Sequence, residues 1–328
     1  MILAGDVGGT KTQLGIFSED RGPRHPLFGA TFQNAVYEDF ETIIAEFLAR
    51  VNVIVDHACI GVAGPVINGQ SSMTNLPWVI SDQPLRNGFS FFRVTVINDL
   101  EAVAFSIPHL EQADLLTLQE GRHITGGNIA VIAPGTGLGE AFSVWNGKRY
   151  QAYASEGGHA DFAPNGSLEI SMLRVLQEQY GHVSWESVCS GRGIARIYDF
   201  LKDHGLSMEP AWLSDQLNRV DDRTPDIVAA ALDRHPPCEL CVRTLDLFTS
   251  ILGAEAGNLA LKVLATGGVY LAGGMTPRIL PFLQKGFFTE AFRRKGRMGH
   301  LVSCMPVHVI LNDSAALIGA AAYGLLFL

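Results

Sequence analysis

The chain predicts a doubly wound α/β protein built from two related domains. Two strand–glycine-turn–strand units, Ile2 to Phe17 and Asn128 to Trp145, look like counterparts, one per half. Strands alternate with helical patterns in both halves. The length of 328 residues, 47% hydrophobic and 17% charged, is enough to bury two cores.

Taken in order, Ile2 to Phe17 reads as two strands around a tight turn at Gly8-Gly9, where glycine would supply positive φ. Val53 to Val62 and Val94 to Ile97 are β-rich runs. After Asn98-Asp99, Leu100, Val103 and Ala104 recur at helical spacing, so Asp99 stands where a strand passes into a helix. That is the sheet edge at which α/β proteins bind ligands. Asn128 to Ala133 runs into Gly135-Thr136-Gly137-Leu138-Gly139 and leaves as Ala141 to Trp145. Ile170, Leu173, Leu176 and Tyr180 mark one face of an amphipathic helix, and Leu245 to Val263 forms a long helix ending before Thr266-Gly267-Gly268. Val269 to Ala272 is a strand entering Gly273-Gly274, and Val307 to Leu311 is a last strand feeding a terminal helix. The uncharged stretch Ser314 to Leu328 is shorter than the ~20 residues a membrane span needs, which predicts a buried helix. No Ser/Gly linker separates the halves, and the boundary is placed near Pro108-His109-Leu110.

The net charge of -9 opposes nucleic acid or an anionic membrane as partner. The one dense basic cluster, Arg293, Arg294, Lys295 and Arg297, reads as a solvated face. Five cysteines without framework spacing fit reduced thiols in a cytoplasmic protein. Cys238 and Cys241 form a CxxC, but no second pair completes a zinc site. The first strand begins almost at Met1 and Asp6 interrupts it, which is no signal peptide.

Two nucleotide motifs fail on their own terms. Gly5-Asp6-Val7-Gly8-Gly9-Thr10-Lys11-Thr12 lacks the glycine a Walker loop has before its lysine, and a strand follows where that motif has a helix. Gly135-x-Gly137-x-Gly139 lacks the dinucleotide spacing and also precedes a strand. What remains is two bare-backbone turns whose N–H groups can cradle phosphate, with Thr10 and Thr136 adding hydroxyl donors. Asp6, entering the first turn, is placed to hold hydrated Mg²⁺. Asn98-Asp99 suits a helix N-cap as well as a ligand contact. Glu156-Gly157-Gly158-His159 and Glu186 supply carboxylates and an imidazole that match the donors and acceptors of a sugar.

The order of these motifs resembles the bacterial-type glucokinase family over essentially the whole chain. The resemblance rests on Asp6-Val7-Gly8-Gly9-Thr10, Asn98-Asp99, Gly135 to Gly139, Glu156 to His159 and Leu271-Ala272-Gly273-Gly274. It extends to Gly64-Pro65-Val66, Met73-Thr74-Asn75, Gly158 to Pro164, Gly181 to Ser184 and Lys295-Gly296-Arg297. It implies the actin/hexokinase-like (ribonuclease H-like) ATPase fold with a ligand cleft between domains, a small α/β domain of residues 1–110 plus 302–328 and a large α+β domain of 111–301. It further implies ATP-dependent phosphorylation of D-glucose to glucose 6-phosphate with Mg²⁺, in a possible homodimer. By the same pattern Gly5, Asp6, Val7, Gly8, Gly9 and Thr10 meet the β- and γ-phosphates, Gly135, Thr136 and Gly137 complete the cradle, and Gly273 and Gly274 lie against adenosine. Asn98, Asp99, Glu156, His159 and Glu186 would hold the sugar, with Asp99 taking the proton of the attacking hydroxyl.

One departure qualifies the match. Lys11-Thr12 stands where that family often has Asn-Ala and is similar to the repressor/open-reading-frame/kinase (ROK) group. The zinc motif of that group is absent, since His159 is followed by Ala160-Asp161-Phe162 and Cys189 is isolated, so the non-ROK assignment stands. The rivals are a kinase for mannose, fructose or an N-acetylhexosamine, and a non-catalytic sugar-responsive regulator of the same fold. The regulator would need a DNA-binding module ahead of the first strand, and a third rival, a catalytically silent structural member of the superfamily, would have lost Asp99.

Overall fold

The computed structural model describes residues 1–73 and 76–326. Thr74 and Asn75 of the motif that begins at Met73, and Phe327 and Leu328 of the apolar terminus, lie outside the described residues. The chain divides into two compact units, residues 1–115 with 141–154 and 310–328, and residues 116–140 with 155–309.

The first unit is built on β1 (Ile2–Val7), β2 (Lys11–Phe17), β3 (Phe28–Gln33), β4 (His57–Val62) and β7 (Arg93–Asn98), in the order β3-β2-β1-β4-β7. A small ribbon, β5 (Gln70–Ser72) with β6 (Val79–Ser81), stands apart. β1 and β2 pair antiparallel from Ile2↔Phe17 to Val7↔Thr12, which is the expected hairpin. β1, β4 and β7 run parallel and in step, with Asp6 level with Gly61 and Gly61 level with Ile97. Side chains alternate between faces with period two. Leu3 and Val7 therefore enter one core with Phe40, Ile43, Ile44 and Phe47 of α1 (Phe40–Ala49) and Leu85 of α2 (Asp82–Phe89). Ile2 and Ala4 enter the other with Ala102 of α3 (Asp99–Ser106) and Leu317, Ala320 and Ala321 of the terminal helix Ala315–Leu325. Asp6 shares the parity of Ile2 and Ala4, which puts it on the α3 face. The strand expected from Val53 begins only at His57, because Val53 and Ile54 are exposed.

The second sheet holds β8 (Leu115–Gln119), β9 (Ile129–Pro134), β10 (Leu138–Trp145), β11 (Tyr150–Ser155), β12 (Gly268–Leu271) and β13 (Val307–Ile310), in the order β11-β10-β9-β12-β13-β8. β12 is parallel to both β9 and β13, and β9 and β12 are buried throughout, as central parallel strands are.

Helices α4 (Ser167–Tyr180), α5 (Gly191–Asp203), α6 (Ala211–Leu217), α7 (Thr224–Leu232) and α8 (Glu239–Val263) follow. The buried side of α4 carries Glu169, Met172 and Leu176, while Ile170 and Tyr180 are exposed, so its inner face is turned from the expected stripe. Apolar residues on both sides of this helix left its periodicity ambiguous. α8 starts six residues before Leu245, after Pro236-Pro237, and its first turns bury Leu240, Cys241 and Thr244. A buried cysteine counts there as a small apolar residue. Gly253 and Gly257 of α8 admit the helix Phe287–Arg293 to backbone contact, since a Cβ on either would run into the Phe288 or Phe292 carbonyl.

The basic cluster is not simply a solvated face. Lys295 Nζ donates to the Ala254 carbonyl (2.7 Å) and Asn258 Oδ1 (2.6 Å), and burial lowers its pKa. Arg293 Nε donates to Gln119 Oε1 at 2.6 Å. All five cysteines are free, Cys238 and Cys241 are buried, and among the described residues no group of three His, Cys, Asp or Glu could hold a metal. Among the described residues no helix is long and apolar enough to cross a membrane.

Candidate active site

In the first unit the turn between β1 and β2 is closed by the Gly8 N–H donating to the Lys11 carbonyl at 3.0 Å. Asn34, buried just past β3, secures it from below. Its Nδ2 donates to the Gly8 carbonyl (2.9 Å), its N–H to the Thr10 carbonyl (2.9 Å), and its Oδ1 accepts from the buried Thr12 hydroxyl (2.8 Å). Two carbonyls that would repel an anion are thus engaged inside the protein. The expectation of positive φ at Gly8-Gly9 is not met, for neither has a left-handed φ, and the same holds of Gly135 and Gly137 in the second turn. Glycine keeps these turns bare instead, and a Cβ on Gly135 would meet open space.

The N-cap reading of Asn98-Asp99 is the one observed, at Asn98. Asn98 caps α3, its Oδ1 accepting from Leu100 N (2.9 Å) and Glu101 N (3.2 Å) while Nδ2 donates to the Gly64 carbonyl (3.1 Å). Asp99 opens the helix, and its Oδ1 accepts from Leu100 N at 2.9 Å. Gly61 gives this turn its seat on β4, since a Cβ there would lie 3.3 Å from Ala102 Cβ and 3.9 Å from Asp99 Cα.

Asp6, level with Gly61, is raised to about 7 by lost hydration first and by the Asp99 charge second, with Lys11 pulling the other way. Lys11 Nζ in turn stands 3.6 Å from Asp313 Oδ2. Two carboxylates that raise each other's cost of ionisation are a donor set that a divalent cation would relieve. Asp6 therefore fits the Mg²⁺ role expected of it.

In the second unit Glu156, His159 and Glu186 come together. The loop 156–162 is tied to 183–186 by Glu186 N to the Gly158 carbonyl (2.7 Å), Trp185 N to Ala160 (3.0 Å) and Phe162 N to Val183 (2.9 Å). His159 Nε2 is 4.0 Å from both Glu156 Oε2 and Glu186 Oε2, and Glu156 and His159 are exposed. Glu186 Oε2 also accepts from Leu138 N at 3.0 Å, and a Cβ on Gly137 would collide with this carboxylate. The second glycine turn and the acid–imidazole group are one structure. Thr136 is exposed at the tip of that turn. Gly273 adopts φ +84°, and a Cβ on it would stand 2.7 Å from the Pro134 carbonyl, which puts Gly273-Gly274 beside the end of β9.

Sequence reasoning passed over Asn34, Gly61 and the buried carboxyl pair Glu140 and Glu255. Asn34 and Gly61 stand in no motif. Glu140 had a usable signal, a charged residue inside an apolar strand pattern.

A family model described as Glucokinase matches residues 3–325. A glucokinase of Trichormus variabilis is 39% identical over 336 residues, covering 98% of each chain. One of Erwinia tasmaniensis is 36% identical, covering 98% of this chain and 96% of its own. The crystal structure of a glucokinase from an Antarctic psychrotroph superposes with a TM-score of 0.83 at 33% identity, covering 98% of both chains. A ROK family glucokinase from Streptomyces griseus shares the fold, with a TM-score of 0.63 at 21% identity over 98% of both chains.

Proposed function

The chain belongs to the glucokinase family and phosphorylates glucose with ATP, and on that premise we propose that Asp99 is the general base of the transfer. The observation that carries this is the seat of Asp99 at the β7–α3 junction, on the same sheet edge and face as Asp6. The carboxylate accepts the proton of the 6-hydroxyl as its oxygen bonds to the γ-phosphorus and the bond to ADP breaks. Glu156, His159 and Glu186 hold the sugar hydroxyls, the carboxylates accepting and the imidazole either donating or accepting. Asn98, whose side chain already caps α3 and reaches Gly64, serves the sugar chiefly by fixing Asp99.

The turns from Gly5 to Thr10 and from Gly135 to Gly137 meet the phosphates, through N–H groups outside the β1 ladder and other than those of Gly8 and Gly135, which close the turns, and through the Thr10 and Thr136 hydroxyls. Gly273 and Gly274 lie against the adenosine. Mg²⁺, when bound, neutralises phosphate charge, and Asp6 is the residue that would hold it through water. Five free thiols support a cytoplasmic location.

Asp99→Asn tests the base. Turnover should fall about 10²- to 10⁴-fold while calorimetry still shows glucose binding, because the amide cannot take the proton. Near-wild-type turnover would remove Asp99 from this role. A coupled assay over glucose, mannose, fructose, galactose and N-acetylglucosamine reads the strictness of sugar choice.

A further inference from the structure

Beneath the loop that carries Glu156 and His159 lies a pair of carboxyl groups with no part in the chemistry above. Glu140, on β10 just after the second glycine turn, is 1% exposed, and Glu255, inside α8, is 0% exposed. Glu140 Oε2 fills the space a side chain on Gly157 would need. Glu140 Oε1 is buried without an N–H or O–H donor, and the Glu255 carboxyl lies near enough for its charge to act on Glu140. Glu255 is held in turn by Asn258 Nδ2 at 2.8 Å and Lys262 Nζ at 3.3 Å.

Two buried carboxyl groups in reach of each other escape repulsion only when one keeps its proton. Glu140 is that one. Burial first, then the Glu255 charge, raises it to about 8, whereas Asn258 and Lys262 offset part of the burial cost at Glu255. Among the described residues two cations face the pair, Lys262, whose charge lowers Glu140 as well as Glu255, and Lys295, which feels the Glu255 charge. The Cys189 thiol is pushed up by burial and then by Glu255, Glu140 and Glu169, and Lys295 spends its donors on Ala254 and Asn258.

We propose that Glu140, through a proton shared with Glu255, is a positioning residue that fixes the sugar-binding loop from Glu156 to His159. This rests on the reading of Glu156 and His159 as sugar contacts. When the proton is lost, two buried carboxylates repel at the spot where Glu140 supports Gly157. The Glu140 side chain is pushed toward that backbone, and its neighbours Glu156 and His159 lose their common setting.

The test is glucose affinity by calorimetry on the full chain from pH 6 to 9 for wild type, Glu140→Gln and Glu156→Gln, with nucleotide affinity measured alongside. Glutamine can donate to Glu255 but cannot ionise. Wild type should lose glucose affinity above about pH 8 by up to roughly tenfold per pH unit, with nucleotide affinity steady. Glu140→Gln should match wild type at pH 7 and show a flat profile. A flat wild-type profile, or an unchanged alkaline loss in Glu140→Gln, would overturn the proposal. If Glu156→Gln binds glucose normally, it is the sugar-loop reading that fails, which the two variants report separately.

Discussion

The Asn34 carboxamide donates to the Gly8 carbonyl at 2.9 Å, so a residue with no place in any nucleotide motif holds the turn proposed to receive phosphate. Asn34→Ala removes that bond and leaves the Thr12 hydroxyl and Gly8 carbonyl unpaired inside the protein. The expected cost is about 1–3 kcal/mol of stability. The KM for ATP should rise roughly fivefold or more, for about 1 kcal/mol of lost positioning, with glucose affinity unchanged. Thermal melts and steady-state kinetics with each substrate varied would measure both.

Gly61→Val places branched carbons where even a single Cβ lies 3.3 Å from Ala102. The first turn of α3 must shift, and Asp99 with it. Stability should drop by about 1–3 kcal/mol, and kcat should fall more than the glucose KM rises. A KM effect alone would mean that Asp99 had kept its position.

Asp6 gives a proton signature. Its folded pKa lies above that of an ordinary carboxylate, so between about 4 and 7 the folded protein holds a proton the unfolded chain has lost, and stability declines as pH rises through that window. A cation drawn to Asp6 expels the proton. Calorimetry of Mg-ATP binding at pH 6.5 in buffers of different ionisation enthalpy should show proton release in wild type and none in Asp6→Asn.

Gly137→Ala directs a methyl group at the Glu186 carboxylate, which also holds Leu138 N. The carboxylate has to swing away from His159. Glucose KM should rise roughly tenfold, which is about 1.4 kcal/mol. Fluorescence titration with glucose in the absence of nucleotide would separate this from any change in the turn proposed to meet phosphate.

Much of the frame was legible in the sequence because it is local. The β1–β2 hairpin, the β7–α3 junction at Asp99 and the glycine turn before β10 each announce themselves within a dozen residues. The short distances among Glu156, His159 and Glu186 agree with their grouping as one donor set, though the sugar itself tests that role. What stayed hidden depends on partners far along the chain. Asn34 matters because of Gly8, Thr10 and Thr12, and Glu140 because α8 brings Glu255 to it. The inner face of α4 was misread for the same reason, since the elements packed on it, not its own spacing, chose Glu169, Met172 and Leu176.

The step-for-step alignment of Asp6, Gly61 and Ile97 across three parallel strands makes the relation of Asp6 to Asp99 a digital quantity. A strand cannot slide by a fraction of a residue. A slip of one would send Asp6 through to the α1 side of the sheet, and a slip of two would restore its side but carry it more than 6 Å along the strand. Insertions and deletions within β1 or β4 are therefore all-or-nothing for this carboxylate pair. Gradual adjustment of the site falls to the turns and loops at the strand ends, where the chain can change by less than a whole residue's rise.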